Sequence, residues 1–398
     1  MLIKPTGVNE RIISIDVMRG FALLGIFIVN MLFFHTPYIY INPYTWYQNP
    51  SDYETFKMID IFVQGSVYPL FSMLFGYGLA MQYMKSEANG SPFSKFAVRR
   101  LSVLLIIGCI HAFLIWAGDI LITYALAGFV LILIIRLKPI WLLLISIFLF
   151  LIPNGLLNGL VYLGSLIELD AMVIYTGIQE IEASIVAYGQ GSWGDIFSQR
   201  LADWLYMSGN GLIIISMLFT IVPFLLLGAA AAKWKLIERA RELKVFWIIT
   251  VLVTLIAGTV IKWLPYLTEA NLFTMSVQDT FGGPLQAIAY AGVIAMVCSI
   301  PIGAKILSPI SKAGRMSMTI YLMQSIIATT IFYSYGFGLY GKIDISTGTW
   351  MAVGIFALQI VFAEFWFMKF KQGPVELLWR KLTYSNSLSK IGEKETNL

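Results

Sequence analysis

The chain has 398 residues, 58% of them hydrophobic and only 12% charged, with a formal net charge of +5. A soluble domain carries about 25% charged residues, so there is too little charge here to coat a water-facing surface, and the excess of Lys and Arg points to membrane topology rather than to nucleic acid. The apolar residues fall in runs long enough to cross a bilayer as helix, which takes roughly 20 residues.

In chain order the apolar runs are 17–35, 57–83, 101–117, 119–135, 140–163, 204–231, 246–263, 282–304, 316–334 and 349–369. They predict an all-α polytopic integral membrane protein of about ten transmembrane helices. The first run lacks a small-residue cleavage site, so it is expected to remain as a helix. The second contains Gly65 and Pro69 and is expected to kink or break. With the N-terminus inside, every Lys and Arg of the 27 except Lys57, Arg200, Lys262 and Lys342 falls in an inner segment. The positive-inside rule therefore predicts cytoplasmic N- and C-termini. Two outer stretches are long. Residues 36–56 hold no basic residue but are rich in aromatics, including Tyr38, Tyr40, Tyr44 and Trp46, as expected for an interfacial belt. Residues 164–203 carry Glu168, Asp170, Glu180, Glu182, Asp195 and Asp203, and suit a surface helix or a lid.

Polar side chains inside a membrane are functional candidates, because each is costly unless it finds a partner. Asp16, Arg19 and Asn30 lie in the first run. Eleven residues at about 100° each bring Arg19 and Asn30 to one face, roughly 16 Å apart along the axis. The alternative is an interfacial Asp–Arg pair and an asparagine that joins helices. His111 lies in the outer part of the third run, and Asp119 follows the short turn Trp116–Ala117–Gly118. A neutral imidazole there could accept a proton and a carboxylate could orient it, or the histidine could simply be a satisfied buried residue. His35, the other histidine, ends the first run. Asp60 opens the second run as a cap or a site residue. Glu364 in the last run calls for an inner cation. Cys109 and Cys298 lie in separate apolar runs, so neither a disulfide framework nor a metal site is expected. Phosphate-binding, dinucleotide-binding and nucleophile-elbow motifs are absent.

The run RIISIDVMRGFALLGIFIVN, the block DIFVQGSVYPLFSMLFGYGLAM, then RRLSVLLIIGCIHAFLIWAGDILITYALAG, GRMSMTIYLMQSII and GPVELLWRKLTY together resemble the YeiB family of bacterial membrane proteins. These blocks span nearly the whole chain. More distantly, Asp16-x-x-Arg19-Gly20-x-Ala22 with Asn30 is similar to the first helix of heparan-alpha-glucosaminide N-acetyltransferase, within the transmembrane acyltransferase superfamily. That resemblance implies an acyl group moving from a cytoplasmic thioester to an acceptor across the membrane. It implies an asparagine and a histidine near the outer face, and basic residues at the inner face. The lysosomal enzyme has its histidine in the loop after the first helix, whereas 36–56 contain none. His35 or His111 then takes the role.

The expected organisation is an acyltransferase-like helical bundle over 1–163, an extracytoplasmic loop or lid over 164–203, and a YeiB-type membrane domain over 204–398. The leading expectation is an acyltransferase. His111 or His35 is the base, Asn30 positions the carbonyl or acceptor, and Asp119 orients His111. Arg19, Arg99, Arg100 and Arg315 attract the phosphates of an acyl-CoA co-substrate. The expected partners are membrane lipids, the donor, an extracytoplasmic acceptor and a second copy of the chain in a homodimer, in a bacterial cell membrane. The alternative is a small-molecule transporter or exporter that uses the same polar residues.

Overall fold

The computed structural model describes residues 11–167, 174–209, 215 and 218–383. Lys4, Glu168, Asp170, Lys390 and Lys394, and with them both extreme ends, lie outside the described residues. The principal helices are α1 (Ile13–His35), α2 (Pro50–Phe62), α3 (Val67–Ala88), α4 (Phe93–Ile110), α5 (Leu121–Ile134), α6 (Pro139–Ile167), α7 (Ile178–Gln190), α8 (Trp193–Trp204), α9 (Val222–Lys233), α10 (Lys244–Lys262), α11 (Leu272–Val277), α12 (Gly283–Cys298), α13 (Ser308–Arg315), α14 (Ser317–Phe332) and α15 (Ile345–Lys369). No strand occurs among the described residues.

Seven helical stretches are long and apolar enough to span a bilayer, and shorter apolar helices cover Leu121–Ile134, Leu218–Lys233 and Ser317–Phe332. Each overlaps one of the ten runs read from the sequence; the stretch over the eighth run is displaced to Leu272–Cys298, and residues 210–214, 216 and 217 of the run 204–231 lie outside the described residues. The chain is a polytopic helical membrane protein. α6, α10 and α15 leave most of their apolar side chains uncovered, as helices facing lipid do.

The helices approach closely where glycine permits it. Any side chain at Gly76 or Gly228 would collide with the backbone of Leu225 or Met73, so α3 and α9 cross almost backbone to backbone. Gly314 meets the Asp16 carbonyl and Gly20 meets Ile310 in the same way. This second crossing sets α13, and with it Arg315, against the charged inner end of α1. The expected break in the second run is present: residues 63–66 separate α2 from α3, with Gly65 at φ +73°. A second interruption, a π-helical turn at Gln278–Gly282, separates α11 from α12 and packs on Gly65.

The outer stretches differ from expectation. Tyr38 and Tyr40 are buried, and Tyr38, Tyr40 and Tyr44 donate to Gln64, Asp203 and Asp60. They are tertiary contacts rather than an interfacial belt, because each phenol has a buried polar group to satisfy. The acidic stretch forms α7 and α8 over the outer end of the bundle. Asp203 anchors them by accepting from Tyr40 at 2.7 Å, Tyr188 at 2.6 Å and Gln199 at 2.7 Å. Burial pushes its carboxyl above the usual carboxylate range, which these donors oppose.

Candidate functional site

His111 begins a π-helical turn, His111–Ile115, at the outer end of α4. Such turns locally re-aim side chains and recur at functional sites. The chain then reverses through Trp116–Gly118, and Asp119 returns beneath the turn. Asp119 Oδ1 lies 2.7 Å from His111 Nδ1, and Oδ2 accepts the Ile122 N–H at 2.8 Å. One carboxylate thus orients the imidazole and caps the start of α5. Both side chains are completely buried. A carboxylate only accepts, so Nδ1 carries the ring proton, and Nε2 of the neutral ring is the acceptor. Nε2 is 2.9 Å from Ser325 Oγ on α14.

Below this group lies a cavity of about 290 Å³, near the low end of small-molecule sites at roughly 300–1,000 Å³. Its upper part is formed by Leu23, Ile26, Phe71, Leu74, Leu104, Ile120, Tyr124 and Tyr321. The Tyr321 ring lies 5.1 Å from that of His111 and lines the cavity, whereas His111, Asp119 and Ser325 are not on the lining. Its lower part, on the inner side by the positive-inside sense, presents Arg11, Arg19, Arg100 and Arg315. From Arg19 to Ile26 on α1 the lining climbs about 10 Å, at ~1.5 Å per residue.

The arginines are held in place. Asp16 accepts from Arg19 at 3.1 Å and from Arg11 at 3.5 Å. Arg100 stacks on Trp379 at 3.7 Å and Arg315 on Phe367 at 4.2 Å. Trp379 also donates to the Arg100 carbonyl, so the C-terminal helix over 374–383 walls the cavity. On the same helix, Glu376 accepts from the Met318 and Thr319 N–H groups and the Thr319 hydroxyl, which caps α14. Burial pushes the Glu376 carboxyl above its ordinary value. Burial and then the like charge of Arg11 pull the Arg315 guanidinium below its own. Four guanidinium groups gathered around one cavity suit a phosphate-bearing ligand.

Of the residues singled out in the sequence, the structure brings His111 and Asp119 together and sets Arg19, Arg100 and Arg315 around one cavity. Arg99 is not on its lining. Arg99 and Arg100 are successive on α4 and point about 100° apart, so one cavity takes only one of them. Asn30 is half-buried and off the lining. His35 is fully buried, not interfacial: Nδ1 donates to the Met31 carbonyl, and the ring packs on Phe332 and Gly348. It neither lines the cavity nor bonds to a carboxylate. Glu364 pairs with Lys312. Sequence reasoning missed Ser325, Arg11, Tyr321, Glu376 and Trp379; the one local signal was the polar pair Gln324–Ser325 inside an apolar run.

A second polar centre lies where the two interrupted helices meet. Lys262, fully buried at the outer end of α10, is 2.7 Å from Asp279 and 3.8 Å from Asp60. Asp60 Oδ2 accepts from Tyr44, Tyr266 and Gln278, while Oδ1 has no hydrogen-bond partner among the described residues.

A bundle of apolar helices that holds a buried His–carboxylate pair above a basic-mouthed cavity defines a multi-pass membrane protein. A family model described as protein of unknown function (DUF418) matches residues 231–386. The uncharacterized protein YxaH of Bacillus subtilis (strain 168) is 36% identical, over 96% of this chain and 96% of its own length. The uncharacterized protein YeiB of Escherichia coli (strain K12) is 29% identical, over 94% of this chain and 96% of its own. An uncharacterized 39.9 kDa protein from the amylase 3' region of Bacillus acidopullulyticus is 27% identical over 99% of both. The chain belongs to the YeiB family.

Proposed function

We propose that this protein is an acyltransferase of the bacterial plasma membrane. It takes an acyl group from a cytoplasmic thioester of the acyl-CoA type and passes it to a hydroxyl or amine of an extracytoplasmic or lipid-linked acceptor. The observation that carries this reading is a cavity with four arginines at its inner end and Tyr321 at its head, against which the His111–Asp119 pair is packed. Phosphates engage the arginines, and the thioester arm extends along the apolar wall. His111 Nε2 takes the proton released as the acyl bond forms and returns it to the leaving thiolate. Asp119 stabilises the imidazolium in a water-poor setting, where electrostatic contacts are strengthened. Asn30, farther out on α1, is the group assigned to position the acceptor, and the α7–α8 lid covers the outer approach.

The test is thiol release from acetyl-CoA by detergent-purified protein. We expect release that His111→Ala abolishes and His35→Ala weakens only mildly. Absence of release across short- and long-chain acyl-CoAs rules the reading out. One observation favours a second reading, small-molecule transport: two interrupted helices meet at an Asp60–Lys262–Asp279 centre in which Asp60 and Lys262 are buried and Asp279 is partly exposed, an arrangement used for binding at membrane depth. Substrate flux in proteoliposomes without thiol release would favour it.

A further inference from the structure

Ser325 sits in mid-helix on α14, 1% exposed, one turn beyond Tyr321 at the head of the cavity. Its single hydroxyl proton has two acceptors within reach, His111 Nε2 at 2.9 Å and the Tyr321 carbonyl at 3.4 Å. The shorter contact is the normal hydrogen bond and the longer one is marginal. With Asp119 on Nδ1 at 2.7 Å, the order is carboxylate, imidazole, hydroxyl. That order activates a serine: the base accepts the hydroxyl proton and the carboxylate fixes its tautomer.

We propose that Ser325 is the nucleophile and carries the acyl group as an ester between donor and acceptor; the proposal rests on the acyl-transfer reading above. In the first half, Ser325 Oγ attacks the thioester carbonyl carbon and its proton passes to His111 Nε2. The C–S bond breaks, and His111 returns the proton to the departing thiolate. In the second half, the acceptor oxygen or nitrogen attacks the ester carbon and gives its proton to Nε2. Ser325 Oγ leaves and recovers that proton. The acyl group has moved from sulfur to oxygen or nitrogen, with no change of oxidation state.

Two features favour this route over direct transfer. His111 Nε2 is already occupied by the serine hydroxyl, so an acceptor has to displace Ser325 before it can use the base. A cavity of about 290 Å³ is small for donor arm and acceptor together. A covalent intermediate lets them arrive in turn, the donor from the inner mouth and the acceptor from the outer face. Tyr321 is the partition, and displacement of its ring opens Ser325 to the acyl carbonyl.

The experiment uses full-length protein in detergent with acetyl-CoA and no acceptor, quenched in acid and mapped by peptide mass spectrometry. The expected result is one acetyl group on Ser325, absent from Ser325→Ala and from Asp119→Asn. Ser325→Ala loses turnover ~10²-fold or more while keeping its unfolding midpoint near that of the parent. Ser325→Cys changes the adduct into a thioester that neutral hydroxylamine removes, whereas the serine ester survives. Thiol release by the parent protein with no adduct, and turnover retained in Ser325→Ala, overturns the covalent route and leaves acyl transfer standing. A fluorophosphonate probe separates the remaining cases. His111-dependent labelling of Ser325 without acetyl-CoA consumption supports the nucleophile and removes the donor assignment. Neither labelling nor consumption overturns both.

Discussion

Asp119→Ala is the sharpest perturbation, because one carboxylate makes two buried contacts. The lost helix-capping bond to Ile122 N–H costs about 0.5–2 kcal/mol. The His111 N–H, left buried without an acceptor, adds about 1–3 kcal/mol. The expected destabilisation is thus roughly 1.5–5 kcal/mol by those two principles. Asp119→Asn keeps one carbonyl oxygen and removes the charge, so its destabilisation is smaller, about 1–3 kcal/mol. It also presents an N–H to the ring and favours the wrong tautomer, so turnover falls by about 10²–10⁴. Ser325→Ala removes a single neutral bond, about 1 kcal/mol. The assay is equilibrium unfolding in mixed micelles alongside thiol release. The expected order of destabilisation is Asp119→Ala, then Asp119→Asn, then Ser325→Ala, whereas both Asn and Ala at 119 silence turnover. An Asp119→Ala protein as stable as the parent would refute the dual role, and an active Asp119→Asn protein would refute the orienting one.

Other outcomes follow from the same geometry. Arg315→Gln or Arg100→Gln should weaken CoA binding about 10- to 100-fold, as loss of one charge-assisted contact predicts; calorimetry should show Arg99→Gln unchanged. Lys262→Met leaves Asp60 and Asp279 without their cation and should destabilise by about 3 kcal/mol, with part of the loss recovered in the double variant that adds Asp60→Asn. Reporter fusions at residues 40, 180, 270 and 340 should report outside, and those at 90, 240 and 310 inside.

The fold was largely legible because lipid imposes a simple code. Apolar runs gave the ten helices, and Gly65 with Pro69 marked the interruption between α2 and α3. Half of the site was legible for a local reason: His111 and Asp119 are eight residues apart across one tight turn. Ser325 is 214 residues from His111, and only tertiary packing brings it there. A serine in an apolar helix also satisfies itself on its own backbone, so the polar pair Gln324–Ser325 is a weak local mark and does not point to His111. The sequence does not separate Arg99 from Arg100, because the azimuth that faces the cavity is set by packing of α4 against α3 and α5, which a single helix does not reveal. Lys262 reads from the sequence only as an outer charge; Asp279 and the run Gly282–Gly283–Pro284 mark the interruption, but only packing between helices makes Asp279 its partner.

The distribution of cations separates charges that set topology from those that equip the site. The four outer exceptions are all accounted for by local partners. Lys57 pairs with Glu54 and Lys342 with the Gly338 carbonyl. Lys262 is buried against carboxylates, and Arg200 is buried with a bond to the Phe113 carbonyl of the His111 turn. Inner cations that only set topology can be exposed and paired at the surface, as Arg239 is with Glu242. Arg11, Arg19, Arg100 and Arg315 behave otherwise. They converge on one cavity from three segments, the start of α1, α4 and α13; two are stacked on aromatic rings, and Asp16 and Glu376 are the carboxylates on the described lining. The positive-inside rule requires charge in inner segments, but it does not require that charge to be gathered around a cavity or held by tryptophan and phenylalanine. The anionic donor proposed above would account for it, and in that proposal this convergence ties the topology of the chain to its chemistry.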